Sequence, residues 1–303
     1  MMAEPAAIPS LKRSPPFSRS LSYSVSEPRT LGSVLLTALA LGLSALALAP
    51  LFWVLWMLIV RGAALLSPSL FVELTPGAGM VGGGIGNAIL GSIIVALLAM
   101  LLSLPLGLLA GVYLAEYGGR SKLATAVRFA TKVLTGMPSI LAGVFAYASV
   151  VTATGRFSAL AGGVAMGVLM VPTVTLTCEQ ALRGVPSKMK LAAYGLGATH
   201  AETVLSVVVP TAMPGILTGV MLALARAMGE TAPLLFTALF SDYWFEGKLV
   251  EPIASLAVLI YNFSGSPFEN QVQLAWAASL VLVVLVLALN LVAQAVTRRP
   301  KEY

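Results

Sequence analysis

Apolar residues run in long, nearly unbroken blocks along this chain, separated by short polar stretches. A helix needs about 20 consecutive apolar residues to cross the hydrocarbon core of a bilayer. Six blocks approach or exceed that length, at about 31–60, 87–114, 133–154, 160–177, 213–240 and 274–296. The pattern predicts an all-α, polytopic membrane protein with six transmembrane helices: a first helix over 31–60, then a main transmembrane domain over 87–296. Within the blocks, Gly107/Gly111, Gly163/Gly167 and Gly215/Gly219 repeat at GxxxG spacing, which lets helix backbones approach closely. Residues 1–30 are rich in Ser, Pro and Arg and lack apolar periodicity, so they read as a disordered tail. The SALALAP piece of the first block resembles a signal-peptide cleavage site, but the apolar run continues through LFWVLWMLIV, which favours an uncleaved span kinked at Pro50.

The connectors carry less regular signals. In Arg61–Gly86, Gly77, Gly79 and Gly82 fit the GxGxxG nucleotide pattern, but no βαβ unit surrounds them. A flexible external loop is the expected form. The connector Ser241–Gln273 is acidic and carries Tyr243, Trp244 and Phe245. Its apolar piece PIASLAVLIYNF is too short to span and reads as an interfacial or re-entrant segment. Both a plain external loop and a surface for an extracytoplasmic partner suit that composition.

Charge orients the chain. Residues 1–30 and the loops at 116–132, 179–210 and the C-terminus carry fourteen of the 18 Lys and Arg residues. The connectors on the opposite side carry Arg61, Arg156 and Lys248. Positive loops lie inside, so both termini are expected to be cytoplasmic. A chain that is 58% hydrophobic and 10% charged is no soluble globule, and its net charge of +6 belongs to orientation rather than to nucleic acid. One cysteine, Cys178, and one histidine, His200, leave no disulfide and no Cys- or His-rich metal cluster, and no metal or cofactor is expected.

Between the fourth and fifth blocks lies Lys190–Met213, KLAAYGLGATHAETVLSVVVPTAM. Alanines before a Gly and apolar periodicity after it read as helix, break, helix. Lys190, His200 and Glu202 keep this piece out of lipid. Its spacing resembles the loop that marks permease subunits of bacterial ABC importers, in which Glu-Ala-Ala, three residues, Gly and nine residues precede Ile-x-Leu-Pro. Ala192, Ala193, Gly197, Val207, Val209 and Pro210 fall in register, and Leu191 stands where Glu is usual. The resemblance implies a coupling helix that docks in a groove of a cytoplasmic ATPase. An ordinary amphipathic connector is the alternative reading.

Arg226 and Glu230 interrupt the fifth block within GVMLALARAMGETAPLLF. Ionisable groups at membrane depth are costly unless paired or wet, and they face a bundle interior or a pathway. Four residues apart on a helix, the two can pair. They read either as a structural ion pair or as an anion site or gate. An arginine fork suits a tetrahedral oxyanion, and Glu230 would keep the empty site near neutral or accept a proton. With Thr231 beside them, they are the candidate substrate-pathway residues.

RAMGETAPLL, SLAVLIYNF, LAWAASLVL, GMPSI and CEQALRGVPSKMKLAA together resemble the PstA-type permeases of phosphate ABC importers over about Asn87–Gln294. Leu176, Ala257 and Leu259 depart from that pattern. The resemblance implies the type I ABC importer permease fold and a role as half of a phosphate pathway in a bacterial inner membrane. It also implies a sister permease, a cytoplasmic ATPase dimer and an extracytoplasmic phosphate-binding protein as partners, besides membrane lipid. No GxxxxGK[ST] motif occurs, so ATP hydrolysis falls to a partner and the chain is not an enzyme. A permease for sulfate or molybdate is the near alternative. A membrane-embedded enzyme would need convergent catalytic groups, and a secondary transporter would show repeated halves.

Overall fold

The computed structural model describes residues 28–119 and 121–297; most of the expected tail, Arg120 and the closing basic residues Arg298, Arg299 and Lys301 lie outside the described residues. Among the described residues there is no strand. The helices are α1 Pro28–Gly62, α2 Pro68–Val72, α3 Gly86–Val112, α4 Lys122–Thr135, α5 Ser139–Ala146, α6 Thr152–Thr154 and α7 Ala159–Arg183. They continue with α8 Ser187–Gly195, α9 His200–Thr203, α10 Val209–Met228, α11 Ala232–Leu235, α12 Leu256–Ser264 and α13 Glu269–Thr297. Five helical stretches are long and apolar enough to cross a membrane, or six if the bent pair of α4 with α5–α6 counts as one span.

The described residues divide into two units, one up to Val54 and one from Leu55. In the first, α1 begins at Pro28, inside the stretch expected to be tail, and its side chains from Gly32 to Val54 are exposed. An all-round apolar helix of this kind suits a lipid environment.

The second unit is built around α3 and α7, and glycines at helical spacing set their approach. Gly107 and Gly111 of α3 lie against Val174 and Cys178 of α7, while Gly163 and Gly167 of α7 lie against Leu98 and Leu102 of α3. A Cβ at Gly111 would come within 2.6 Å of the Cys178 Cβ, so any larger residue must push the helices apart. The third pair acts alike, with Gly215 and Gly219 of α10 seated on Ala181 and Thr177 of α7. Met166, Met170, Val174, Val208, Val220 and Leu224 are buried in the resulting core. A second core joins α12 to the first half of α13 through Leu256, Leu259, Phe263 and Leu274.

Three segments differ from the sequence reading. The third apolar block, expected as one span over about 133–154, is a separate helical stretch only from Ser139, just past Pro138, and it bends by 106° from the helix Lys122–Thr135 that forms in the preceding connector. Proline has no N–H and biases the residue before it away from helix, so α4 stops at Thr135 and α5 restarts at Ser139. The helix expected over 213–240 instead runs from His200 to Met228. A wide π turn over Val204–Val208 accommodates the missing N–H of Pro210 without ending the helix.

The glycine-rich connector, expected to be flexible, is pinned in place. Gly84 N donates to Leu74 O and Ile85 N to Leu70 O, each at 2.8 Å. Asn270 Nδ2 donates to the carbonyls of Met80 and Gly82 at 3.0 Å. A Cβ at Gly84 would meet the Leu70 carbonyl at 2.6 Å, so these glycines serve close packing on α2. The PIASLAVLIYNF piece forms α12, capped by Ser255, with the Leu256 N–H donating to Ser92 Oγ at 2.8 Å. Ala257 and Leu259, two departures from the resembled pattern, are buried there.

Candidate functional site

The charged pair sits at a break in a helix. Ala223, Leu224, Ala227 and Met228 bury one face of α10, and Leu222 and Arg226 occupy the exposed face. Gly229 ends the helix, and Pro233 in the first turn of α11 restarts it. Arg226 therefore lies in the last turn, where the partial negative charge of the helix end favours a cation. Glu230 and Thr231 lie in the short link between the two helices. Arg226 Nε is 3.6 Å from Glu230 Oε1, with side chains 53% and 21% exposed. The pair thus lies at the end of α10 and is only partly buried within this chain. The guanidinium makes no other ion pair among the described residues, and the Thr231 side chain caps no backbone N–H. An arginine and a carboxylate on an otherwise apolar helix face cannot lie against lipid without a large cost. That face needs water or another subunit over it.

Below this break, Pro233 packs its backbone on Gly143 of α5, where a Cβ would come within 2.7 Å. The GETAPLL segment is thereby locked onto the α5 arm, which fixes where Arg226 and Glu230 can point.

The loop between α7 and α10 forms the expected helix–glycine–helix. α8 ends where Gly197 takes φ +86°, with Ala198 N donating to Ala193 O at 3.1 Å. Thr199 and Glu202 then cap α9 reciprocally. Of the residues in motif register, Ala193 is buried, Ala192, Gly197 and Pro210 are exposed, and Val207 and Val209 are half-buried. The tip presents Leu196, 90% exposed, beside Leu191 and Tyr194. Leu191, at the position where Glu is usual, adds to this apolar tip and not to a charged contact.

Replacing Gly197 tests this loop. A Cβ there meets nothing within 4 Å, so the strain is conformational. The left-handed backbone costs a non-glycine residue about 1–2 kcal/mol. Gly197→Leu is expected to leave membrane abundance near wild type while lowering uptake or ATPase assembly several-fold. Normal uptake in that variant would contradict a coupling role.

Two buried carboxylates that the sequence analysis did not single out hold the loop to the helices. Glu116, just past the end of α3, accepts from Lys190 Nζ at 2.6 Å, and Tyr117 stands edge-on to His200 with ring centroids 4.9 Å apart. His200 Nδ1 is also 2.8 Å from Tyr194 Oη. Glu179 Oε1 pairs with Arg128 Nε and Arg183 Nη2, each at 2.8 Å, and Arg128 Nη2 donates to the Leu114 carbonyl at 2.7 Å. Only Glu179–Arg183, four residues apart, was visible as a local pattern. Arg128 lies on α4, and no local spacing announces it.

On the opposite side, a cleft of about 360 Å³ is lined by Asp242, Tyr243, Trp244, Lys248 and Glu251 among others. Thr75 Oγ1 donates to Asp242 Oδ1 at 3.2 Å, and Asn87 Nδ2 donates to the Ser241 carbonyl at 3.0 Å. Glu251, then Glu246, beside Lys248 holds its ammonium above the usual lysine range.

A helical bundle with five or six helices of membrane-crossing length, a helix–glycine–helix loop and a charged break in one helix is the architecture of a polytopic membrane component. The chain belongs to the family of binding-protein-dependent transport system inner membrane components, whose sequence profile matches residues 103–302. It is 42% identical to the phosphate transport system permease protein PstA of Yersinia pestis over 83% of this chain and 86% of that protein. Identity to the protein of the same name from Haemophilus influenzae is 40%, over 84% and 90% of the two chains. The fold matches a chain of a bacterial alginate ABC transporter solved in complex with a periplasmic protein, with TM-score 0.64 at 15% identity over 91% of this chain and 98% of that one. The family is one of ABC importer permeases, so this chain is a transport component and not an enzyme.

Proposed function

We propose that this chain is one of two membrane subunits of an ATP-driven importer of inorganic phosphate. It works in a bacterial inner membrane with a sister permease, a cytoplasmic ATPase dimer and an extracytoplasmic phosphate-binding protein. The observation that carries the reading is the exposed Arg226, paired loosely with Glu230 at a helix break on an apolar face. In the assembled pair of permeases that face lines the pathway, and Arg226 offers its unused donors to a phosphate oxygen. Thr231 and Glu230 complete the site from the link. The names of its relatives favour phosphate over sulfate or molybdate as cargo.

The loop over Ser187–Thr203 faces the cytoplasm, and its apolar tip at Leu191 and Leu196 fits an ATPase groove. When the ATPases close, the loop moves, and the Glu116 and Glu179 contacts carry that motion to α3, α4 and α7. This switches access from one side to the other. The acidic, aromatic lobe around Asp242 and Glu251 lies outside and receives the binding protein.

Phosphate uptake by cells that depend on this chain is expected to be competed by unlabelled phosphate and not by equal sulfate or molybdate. Competition by sulfate with no effect of phosphate would overturn the cargo assignment. For orientation, a Lys248→Cys substitution in a Cys178→Ala background is expected to label from outside, and labelling only from the cytoplasm would reverse the topology.

A further inference from the structure

The connector between α3 and α5 folds into a helix that turns polar groups toward the protein and apolar ones away from it. On α4, Arg128 points inward to Glu179 and to the Leu114 carbonyl, and Thr131 is buried. A Cβ at Gly118 would stand 2.8 Å from that of Ala124. These contacts lay α4 across the ends of α3 and α7, on the side of the Ser187–Thr203 loop. Its axis stands at 106° to the apolar arm Ser139–Thr154. With that arm crossing the bilayer, α4 lies close to the plane of the membrane surface.

The outward side of α4 is graded across its width. Lys122, Ala126, Phe129 and Val133 recur at helical spacing and form one exposed stripe. Leu123 and Ala130 border it on one flank, and Thr125 and Lys132 on the other. Leu123, Phe129 and Val133 are 61%, 70% and 55% exposed. A helix facing water would not present these three together, and one in mid-bilayer would not carry Lys122 and Lys132. A helix lying in the interface does both, with its apolar flank in the acyl boundary and its lysines among headgroups. Neither lysine makes an ion pair among the described residues, so both ammonium groups are open to lipid phosphates.

We propose that α4 is an in-plane anchor seated in the leaflet on the side of the Ser187–Thr203 loop. Leu123, Phe129, Ala130 and Val133 enter the acyl boundary, and Lys122 and Lys132 hold anionic phospholipid headgroups. The chain continues through Pro138 into α5, and Arg128 ties α4 to Glu179, so the anchor sets the height of α5 and α7 in the bilayer. It rests on the chain's crossing a membrane and not on its cargo, so failure of the phosphate assignment would leave it standing.

Spin labels on the full chain read the anchor in nanodiscs of phosphatidylethanolamine and phosphatidylglycerol. Each label occupies a single cysteine in a Cys178→Ala background, and collision with oxygen, which dissolves in lipid, is compared with collision with a water-soluble nickel chelate. Leu123→Cys and Phe129→Cys are expected to favour oxygen about fivefold or more, and Thr125→Cys to favour the chelate. Exchanging phosphatidylglycerol for phosphatidylcholine should lower the oxygen preference at Phe129→Cys about twofold. Adding Lys122→Gln and Lys132→Gln should cause the same fall and abolish the response to lipid. Preference for the chelate at both apolar positions would overturn the anchor. So would loss of collision with both reagents in the assembled transporter, which would make this face a subunit interface. An oxygen preference indifferent to phosphatidylglycerol would overturn the headgroup assignment.

Discussion

Replacing Arg226 by lysine is expected to cut phosphate uptake about tenfold or more, equivalent to about 1.4 kcal/mol or more of lost interaction, while the protein remains in the membrane at near wild-type amount. Lysine keeps the charge and the apolar stem, so neither helix packing nor the helix-end electrostatics should suffer. It loses the planar fork that reaches two oxygens of one tetrahedral anion. The exposed position of Arg226 on α10 supports this separation of function from stability, because its side chain fills no core space. Arg226→Ala should lose more uptake at similar abundance. Uptake and membrane abundance measured together check the prediction.

Glu179 should behave in the opposite way. Its carboxylate is buried, with 8% of the side chain exposed, and it answers two guanidinium groups. Glu179→Leu would leave Arg128 facing the Leu114 carbonyl without its counter-charge. Removing one partner of a buried pair costs about 3–5 kcal/mol, and the half-exposed Arg183 lowers the figure because solvent screens it. We expect a loss of about 3 kcal/mol, seen as a several-fold fall in membrane abundance. Arg183→Ala should cost under about 1 kcal/mol, as exposed pairs do. Arg128→Ala should resemble Glu179→Leu. Thermal unfolding of the detergent-purified protein, followed for all three variants, separates the buried contact from the exposed one.

Much of this architecture was legible in the chain because the signals are local. Apolar blocks of membrane length, GxxxG pairs and the helix–glycine–helix loop each depend on residues within a turn or two of one another. Gly111 and Gly219 show the point: their spacing announced a close crossing, and the structure supplies Cys178 and Thr177 as the residues crossed. The bend at Pro138 was less legible. Its angle depends on how α5 packs on Pro233, which no local pattern contains.

The site was half legible. Arg226 and Glu230 stood out because charge is rare in such blocks. Their place at the end of α10, and the exposure of Arg226, follow from Gly229 and from neighbours far away in sequence. Glu116 and Glu179 were missed for the same reason, since Lys190 and Arg128 reach them across the fold. The glycine-rich connector misled in the other direction. Its glycines suggested freedom, whereas Gly84 and Gly86 are small because backbone carbonyls of α2 and Glu73 lie against them.

The measurement that tests the central claim most directly is phosphate uptake by the charge-swapped protein, Arg226→Glu with Glu230→Arg, normalised to its amount in the membrane. The swap preserves the ion pair but moves the guanidinium off the last turn of α10 and onto the 229–231 link. If Arg226 holds phosphate in the pathway, uptake should stay as low as in the single variants while the complex still assembles. Full uptake by the swapped protein would show that Arg226 and Glu230 only bridge the helix break, and would remove them from the phosphate path.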